Sequence, residues 1–114
     1  MADTLFAKIA SGEIPADILY EDEDLVAFRD ISPQAPTHIL VIPRKPIPTL
    51  NDAGPEDAEL LGKLLLAAAK VAEQAGIAEV GYRTVINCNA AAGQTVFHLH
   101  LHVLGGRPMQ WPPG

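Results

Sequence analysis

His98-Leu99-His100-Leu101-His102-Val103-Leu104 alternates imidazole with aliphatic side chains, and three of the chain's four histidines fall within it. A strand points successive side chains to opposite faces. An extended segment here therefore aims His98, His100 and His102 at one surface and Leu99, Leu101 and Val103 at the other. Alternation alone would also suit a half-buried strand that carries no chemistry. The informative part is the repetition of one residue type. Imidazole is the side chain whose unperturbed pKa lets it act near neutrality as nucleophile, base, acid or metal ligand.

The segment before it strengthens the chemical reading. Tyr82 to Asn87 reads as a strand, and the small-residue loop Cys88-Asn89-Ala90-Ala91-Ala92-Gly93-Gln94-Thr95 joins it to the histidine strand. Gly93 permits close approach of backbone to a ligand, while Gln94 adds an amide and Thr95 a hydroxyl. Such a loop suits a phosphate or an oxyanion, and it equally suits a plain hairpin connection.

Further toward the N-terminus, Pro55 to Ala75 carries the strongest helix pattern. Acidic residues open it, Gly76 closes it, and Leu60, Leu61, Leu64, Leu65, Ala68, Val71 and Ala72 form a broad apolar face. His38 to Ile42 reads as a central strand, ended by Pro43, Pro46 and Pro48. Ile18 to Glu21 and Leu25 to Arg29 form a hairpin about the acidic turn Asp22-Glu23-Asp24. A short helix holding Leu5, Phe6 and Ile9 precedes them, capped by Asp3 and stopped at Gly12. Strands at both ends of one long helix predict an α+β domain spanning residues 1–114, with a five-stranded antiparallel sheet, one long helix and one short one. A parallel, doubly wound sheet would need helices between strands that this order lacks.

Composition narrows the function. At 114 residues the chain fits one domain, and its formal net charge of -6 with no Lys/Arg cluster argues against a nucleic-acid polymer. A single phosphorylated metabolite remains compatible, because backbone N–H groups and neutral donors can hold it. No apolar run approaches the roughly 20 residues of a membrane span. The lone Cys88 reads as a small buried hydrophobe that forms no internal disulfide. The start Met1-Ala2-Asp3-Thr4 lacks the regions of a secretory signal, so the expected location is cytoplasmic.

A phosphoryl group held beside the row can be attacked in line by His100, with its neighbours holding and orienting. A divalent metal competes for the same residues, since His-x-His on a strand presents two nitrogens to one ion. Closing that shell needs other ligands, and the sequence offers only His38 as a further histidine. A non-catalytic module gripping phosphate is the third possibility.

At this point the chain resembles the histidine-triad (HIT) family, in its Hint-type branch. The signature His98 to Leu104 is matched by Phe6-Ala7-Lys8-Ile9, Glu13-Ile14-Pro15-Ala16, the run Ala27 to His38, Gly93-Gln94-Thr95-Val96-Phe97, Gly105-Gly106-Arg107 and Trp111-Pro112-Pro113-Gly114, over nearly the whole length. The resemblance implies a homodimer whose two sheets join into one, with the long helix at the interface. It also implies hydrolysis of purine nucleoside phosphoramidates, such as adenosine 5'-monophosphoramidate and AMP-lysine conjugates, through a nucleotidyl-histidine intermediate, with no metal or other cofactor. His100 matches the nucleophile, His102 the histidine at the phosphate and leaving group, and His98 with His38 the supporting pair. Asp30 matches the ribose-binding carboxylate, while Ile31, Phe6, Ile9, Phe28 and Leu40 resemble the purine pocket. Asn87, Gly93 and Thr95 match positions at the phosphate and sugar, Gln94 one near the leaving group, and Trp111 one reaching the neighbouring subunit's site. Ala90-Ala91-Ala92 and Thr95 depart from a commoner glycine-richer loop with Ser. The stiffer Thr bears on substrate range.

Overall fold

A computed structural model describes residues 4–114. Helix α1 (Leu5–Ala10) opens the described chain, and the Thr4 hydroxyl caps it by accepting the Ala7 N–H at 3.1 Å. Asp3, the cap anticipated from sequence, lies outside the described residues. Strands β1 (Ile18–Glu21) and β2 (Leu25–Arg29) fall where the pattern put them. Their turn closes on Asp22, whose Oδ1 accepts the N–H groups of Asp24 and Leu25, each at 2.8 Å.

Strand β3 (Thr37–Pro43), helix α2 (Ala58–Gln74), strand β4 (Tyr82–Val85) and strand β5 (Leu101–Gly105) complete the elements that position the site. The five strands form one antiparallel sheet in the order β1-β2-β3-β5-β4. Alternation along β3 divides the core in two. Ile39 and Val41 join Leu101, Val103, Leu64, Ala68 and Val71 beneath α2, whereas Leu40 and Ile42 join Phe6, Ile9 and Phe28 beneath α1. Because His102 pairs with Leu40 across the ladder, the imidazole side of β5 faces away from α2.

Several boundaries move. Residues Pro55–Asp57 form a separate 3-10 turn ahead of α2, since Pro55 and the Asp57 bond to the Gly54 N–H tighten the entry. On α2 itself Leu65 is 54% exposed, although it was assigned to the apolar face. One helical step of about 100° carries it off the stripe that Leu64, Ala68, Val71 and Ala72 press against the sheet. Leu66 is 73% exposed beside it. Cys88, expected to be buried, is half-buried. Gly105 is required by a close approach, because a Cβ there would lie 2.6 Å from Ile77 Cδ1. No helix among the described residues is long and apolar enough to cross a membrane.

Candidate active site

The histidine segment is only partly a strand. Continuing the register from Val41 opposite Leu101 would set Leu99 opposite Pro43, which has no N–H to offer, and the ladder stops there. Residues 98–100 instead dock on the chain that follows β3. The Leu99 N–H donates to the Ile47 carbonyl at 2.7 Å, and His98 Nε2 lies 2.7 Å from the Pro43 carbonyl oxygen. His98 is thereby 1% exposed and does not line the cavity described below. The alternation anticipates His98, His100 and His102 on one surface; the imidazoles that lie together are instead His100, His102 and His38, and of these only His100 and His102 reach the cavity. The ring centroids are 5.0 Å apart for His100 and His102 and 5.1 Å apart for His102 and His38.

Backbone groups settle which nitrogen of each ring carries the proton. A carbonyl oxygen can only accept, so His100 Nδ1, 2.7 Å from the His98 carbonyl, holds the hydrogen and leaves Nε2 with a bare lone pair. His98 likewise carries its proton on Nε2, toward Pro43. At His38 the logic reverses. The Gln34 N–H donates to Nδ1 at 3.0 Å, so the proton sits on Nε2. That nitrogen is 2.8 Å from His102 Nδ1 and 3.4 Å from Asp30 Oδ2. His102 Nδ1 must therefore accept, which puts the His102 proton on Nε2.

Burial favours these neutral forms. Desolvation is the leading cause that lowers the pKa of all four imidazoles. His102 is pushed down to about 4, with the like charges of His100 and His38 adding to the effect. The Asp30 carboxylate works in the opposite direction on His38, His100 and His102.

In front of the row lies a cavity of about 300 Å³. Its apolar wall includes Phe6, Ile9, Phe28, Ile31 and Leu40, and its polar rim includes Asp30, Thr95, His100 and His102. The Phe6 ring meets His100 edge-on at 4.9 Å and Phe28 at 5.6 Å. Leu5, Ile14, Pro15, Ala16, Arg29, Ser32 and Val96 also contribute, and sequence reasoning did not single them out as site residues. All of these but Leu5 lie within stretches quoted above for the resemblance, which was the available signal. A larger cavity of about 870 Å³ lies between Gly76, Val80, Arg83 and Met109, and among the described residues no imidazole or carboxylate lines it.

Six proposed site residues lie off the cavity wall: His98 and His38, described above, and Asn87, Gly93, Gln94 and Trp111. Asn87 is half-buried just beyond β4, and Gly93 holds the left-handed backbone at φ +95° that closes the following 3-10 turn, Ala90–Ala92. Gln94 was placed near the leaving group, yet it is 4% exposed with its amide engaged by the protein. Trp111 is 82% exposed, with the Arg83 guanidinium 6.0 Å from its ring centroid.

Asp30, His38 and His102 bring potential ligand atoms within 4.8 Å of one another. The proton positions oppose a metal there. His38 Nε2 would need a lone pair, forcing its hydrogen onto Nδ1 against the Gln34 N–H. The set is better matched to a line of hydrogen bonds running from Gln34 through His38 to His102.

A family model described as HIT domain matches residues 11–109. The chain is 57% identical over 107 residues to the purine nucleoside phosphoramidase of Escherichia coli K12, covering 94% of this chain and 90% of that one. It is 60% identical over 112 residues to an uncharacterised HIT-like protein of Synechocystis, covering 98% and 97% of the two chains. Among solved structures, a HIT family hydrolase from Legionella pneumophila superposes with a TM-score of 0.96 at 56% identity, covering 98% of this chain and 100% of that one. A histidine triad protein from Clostridium difficile gives 0.92 at 38% identity, covering 96% of each.

Proposed function

The chain belongs to the HIT domain family, and we propose that it hydrolyses the P–N bond of purine nucleoside 5'-monophosphoramidates to a nucleoside monophosphate and an amine. The observation that carries the reading is His100 at the cavity, its Nδ1 proton held by the His98 carbonyl and its Nε2 lone pair available to attack. Neutral imidazole is a competent nucleophile toward phosphorus.

The purine enters the wall of Phe6, Ile9, Phe28, Ile31 and Leu40, and the Asp30 carboxylate accepts from the ribose hydroxyls. His100 Nε2 attacks the α-phosphorus in line with the departing nitrogen. A P–N bond to imidazole forms as the P–N bond to the amine breaks, and the amine takes up one proton from solvent. Water then displaces the imidazole, gives the nucleoside monophosphate and returns one proton, so protons balance over the cycle. His102 Nε2–H serves the phosphoryl oxygen as charge develops there. Thr95 offers a hydroxyl on the same rim. No resident metal or other cofactor enters this scheme. The ligand is a single nucleotide rather than a nucleic-acid strand, consistent with the net charge of -6. The half-buried free thiol of Cys88 fits a cytoplasmic setting.

Incubation of the purified protein with adenosine 5'-phosphoramidate, a dinucleoside polyphosphate and a nucleotidyl sugar tests this reading. Preferred turnover of the phosphoramidate, with a quench-trapped nucleotidyl-protein adduct, is the expected result. Tight AMP binding with neither turnover nor adduct would replace the enzyme with a binding module.

A homodimer is part of the same proposal. Among the described residues strand β4 pairs only with β5 and leaves its outer edge open, while Leu65, Leu66 and Val80 are exposed on and just beyond α2. A second copy covering both would extend the sheet across the pair and bring Trp111 toward its neighbour's site. Sedimentation should give twice the chain mass, and replacing Leu65 and Leu66 together by Glu should give the monomer. A monomeric parent chain at micromolar concentration would contradict this.

A further inference from the structure

Gln94 departs furthest from the role its position suggests. Both protons of its amide nitrogen have acceptors, the Pro48 carbonyl at 2.9 Å and the Val96 carbonyl at 3.1 Å, while Oε1 accepts the Asn89 N–H at 2.8 Å. The orientation of the amide is unambiguous, because two carbonyls require the nitrogen and one N–H requires the oxygen. Buried to 4% exposure, it has no donor left for a leaving group.

Its three partners lie in three different places. Asn89 sits at φ +70°, a left-handed conformation uncommon for a residue with a Cβ, and such strain persists only where neighbours over-determine it. Here Gln94 holds that residue from both sides, through the side-chain bond to its N–H and a backbone bond from Gln94 N–H to its carbonyl at 3.1 Å. Pro48 belongs to the chain beyond β3, close in sequence to Ile47 and Pro43, which anchor Leu99 and His98. Val96, the third partner, lines the cavity and packs against the α1-side core.

We propose that Gln94 is a positioning residue that fastens the 89–96 loop to the 43–48 segment, holding Thr95 and Val96 at the wall beside His100 and His102, and that it makes no contact with the leaving group. The kinetic part of this inference rests on the proposed phosphoramidase activity; the structural part does not.

The test uses Gln94→Met, which keeps the length and removes the hydrogen bonds, and Gln94→Glu, which keeps an acceptor for Asn89 and removes both donors. Each is assayed on adenosine phosphoramidates whose amines range from basic alkyl to aromatic. A loosened wall should lower kcat by about tenfold, since misplacing a reacting group by a fraction of an ångström costs on this order. The drop should be equal across the series to within about twofold, with the inhibition constant for AMP little changed. In Gln94→Met, which removes the acceptor, the Asn89 amide should lose its protection from hydrogen exchange while α2 keeps its own. A loss that grows or vanishes with the leaving group would overturn the proposal, as would unchanged protection at Asn89 in Gln94→Met. If the parent protein cleaves no phosphoramidate, the functional reading fails, and hydrogen exchange still decides whether Gln94 is the brace.

Discussion

His100→Ala abolishes turnover of adenosine phosphoramidate, with a loss of about 10⁴-fold or more in kcat, as expected when the nucleophile of a concerted catalytic unit is removed. The reason lies in one carbonyl. His98 O holds the Nδ1 proton at 2.7 Å, so the reactive lone pair is on Nε2 before substrate arrives. The base pocket loses only the edge of one ring, and AMP affinity should stay within about fivefold of the parent. The covalent adduct seen by mass after a rapid quench should disappear with the activity. His100→Gly gives a sharper form of the experiment, because added imidazole can enter the space and restore part of the rate. Retention of more than about one tenth of the parent kcat in His100→Ala would remove the nucleophilic role.

Much of the fold was readable because short-range patterns and long-range packing agree in this chain. Ile18–Glu21 and Leu25–Arg29 are marked by an acidic turn whose Asp22 has local hydrogen bonds to make, and both strands lie where the pattern set them. Phe6, Ile9, Phe28, Ile31, Leu40 and Asp30, singled out through the resemblance, line one cavity. What escaped were properties set between distant residues. The late start of β5 depends on Pro43 lying in register with Leu99, which periodicity within His98–Leu104 cannot reveal. His98 looks equivalent to His100 and His102 along the chain, but the Pro43 carbonyl makes it an anchor. The proton on His38 is set by the Gln34 N–H, four residues away. Gln94 reads as an available amide until its bond to Pro48, 46 residues distant, is seen.

That chain of backbone-determined protons leads to the second large effect. His102→Ala should lower kcat by about 10²- to 10³-fold, the usual cost of removing one donor from a developing oxyanion. Which protonation state does the work is decided by His102→Gln, whose amide N–H can stand in for the neutral ring but cannot titrate. The His38 Nε2–H occupies His102 Nδ1, and burial with two neighbouring imidazoles pushes the His102 pKa to about 4, so the neutral Nε2–H donor prevails at pH 7. Gln should therefore recover at least about tenfold of what Ala loses. The same shifts fix the sign of the pH dependence. Because the folded pKa values of His100 and His102 lie below the ordinary 6.5, the acid limb of kcat/KM, which reports the free enzyme, should fall on the acid side of that value rather than at it. Folding follows the same sign: below pH 6.5 an unfolded chain takes up protons that these buried rings refuse, so stability declines toward the His102 value of about 4. If protonated His102 were the working species, acidification from pH 7 would raise kcat and Gln would rescue nothing. That outcome would mean substrate binding frees His38 Nδ1 from the Gln34 N–H and reverses the hydrogen bond between His38 and His102.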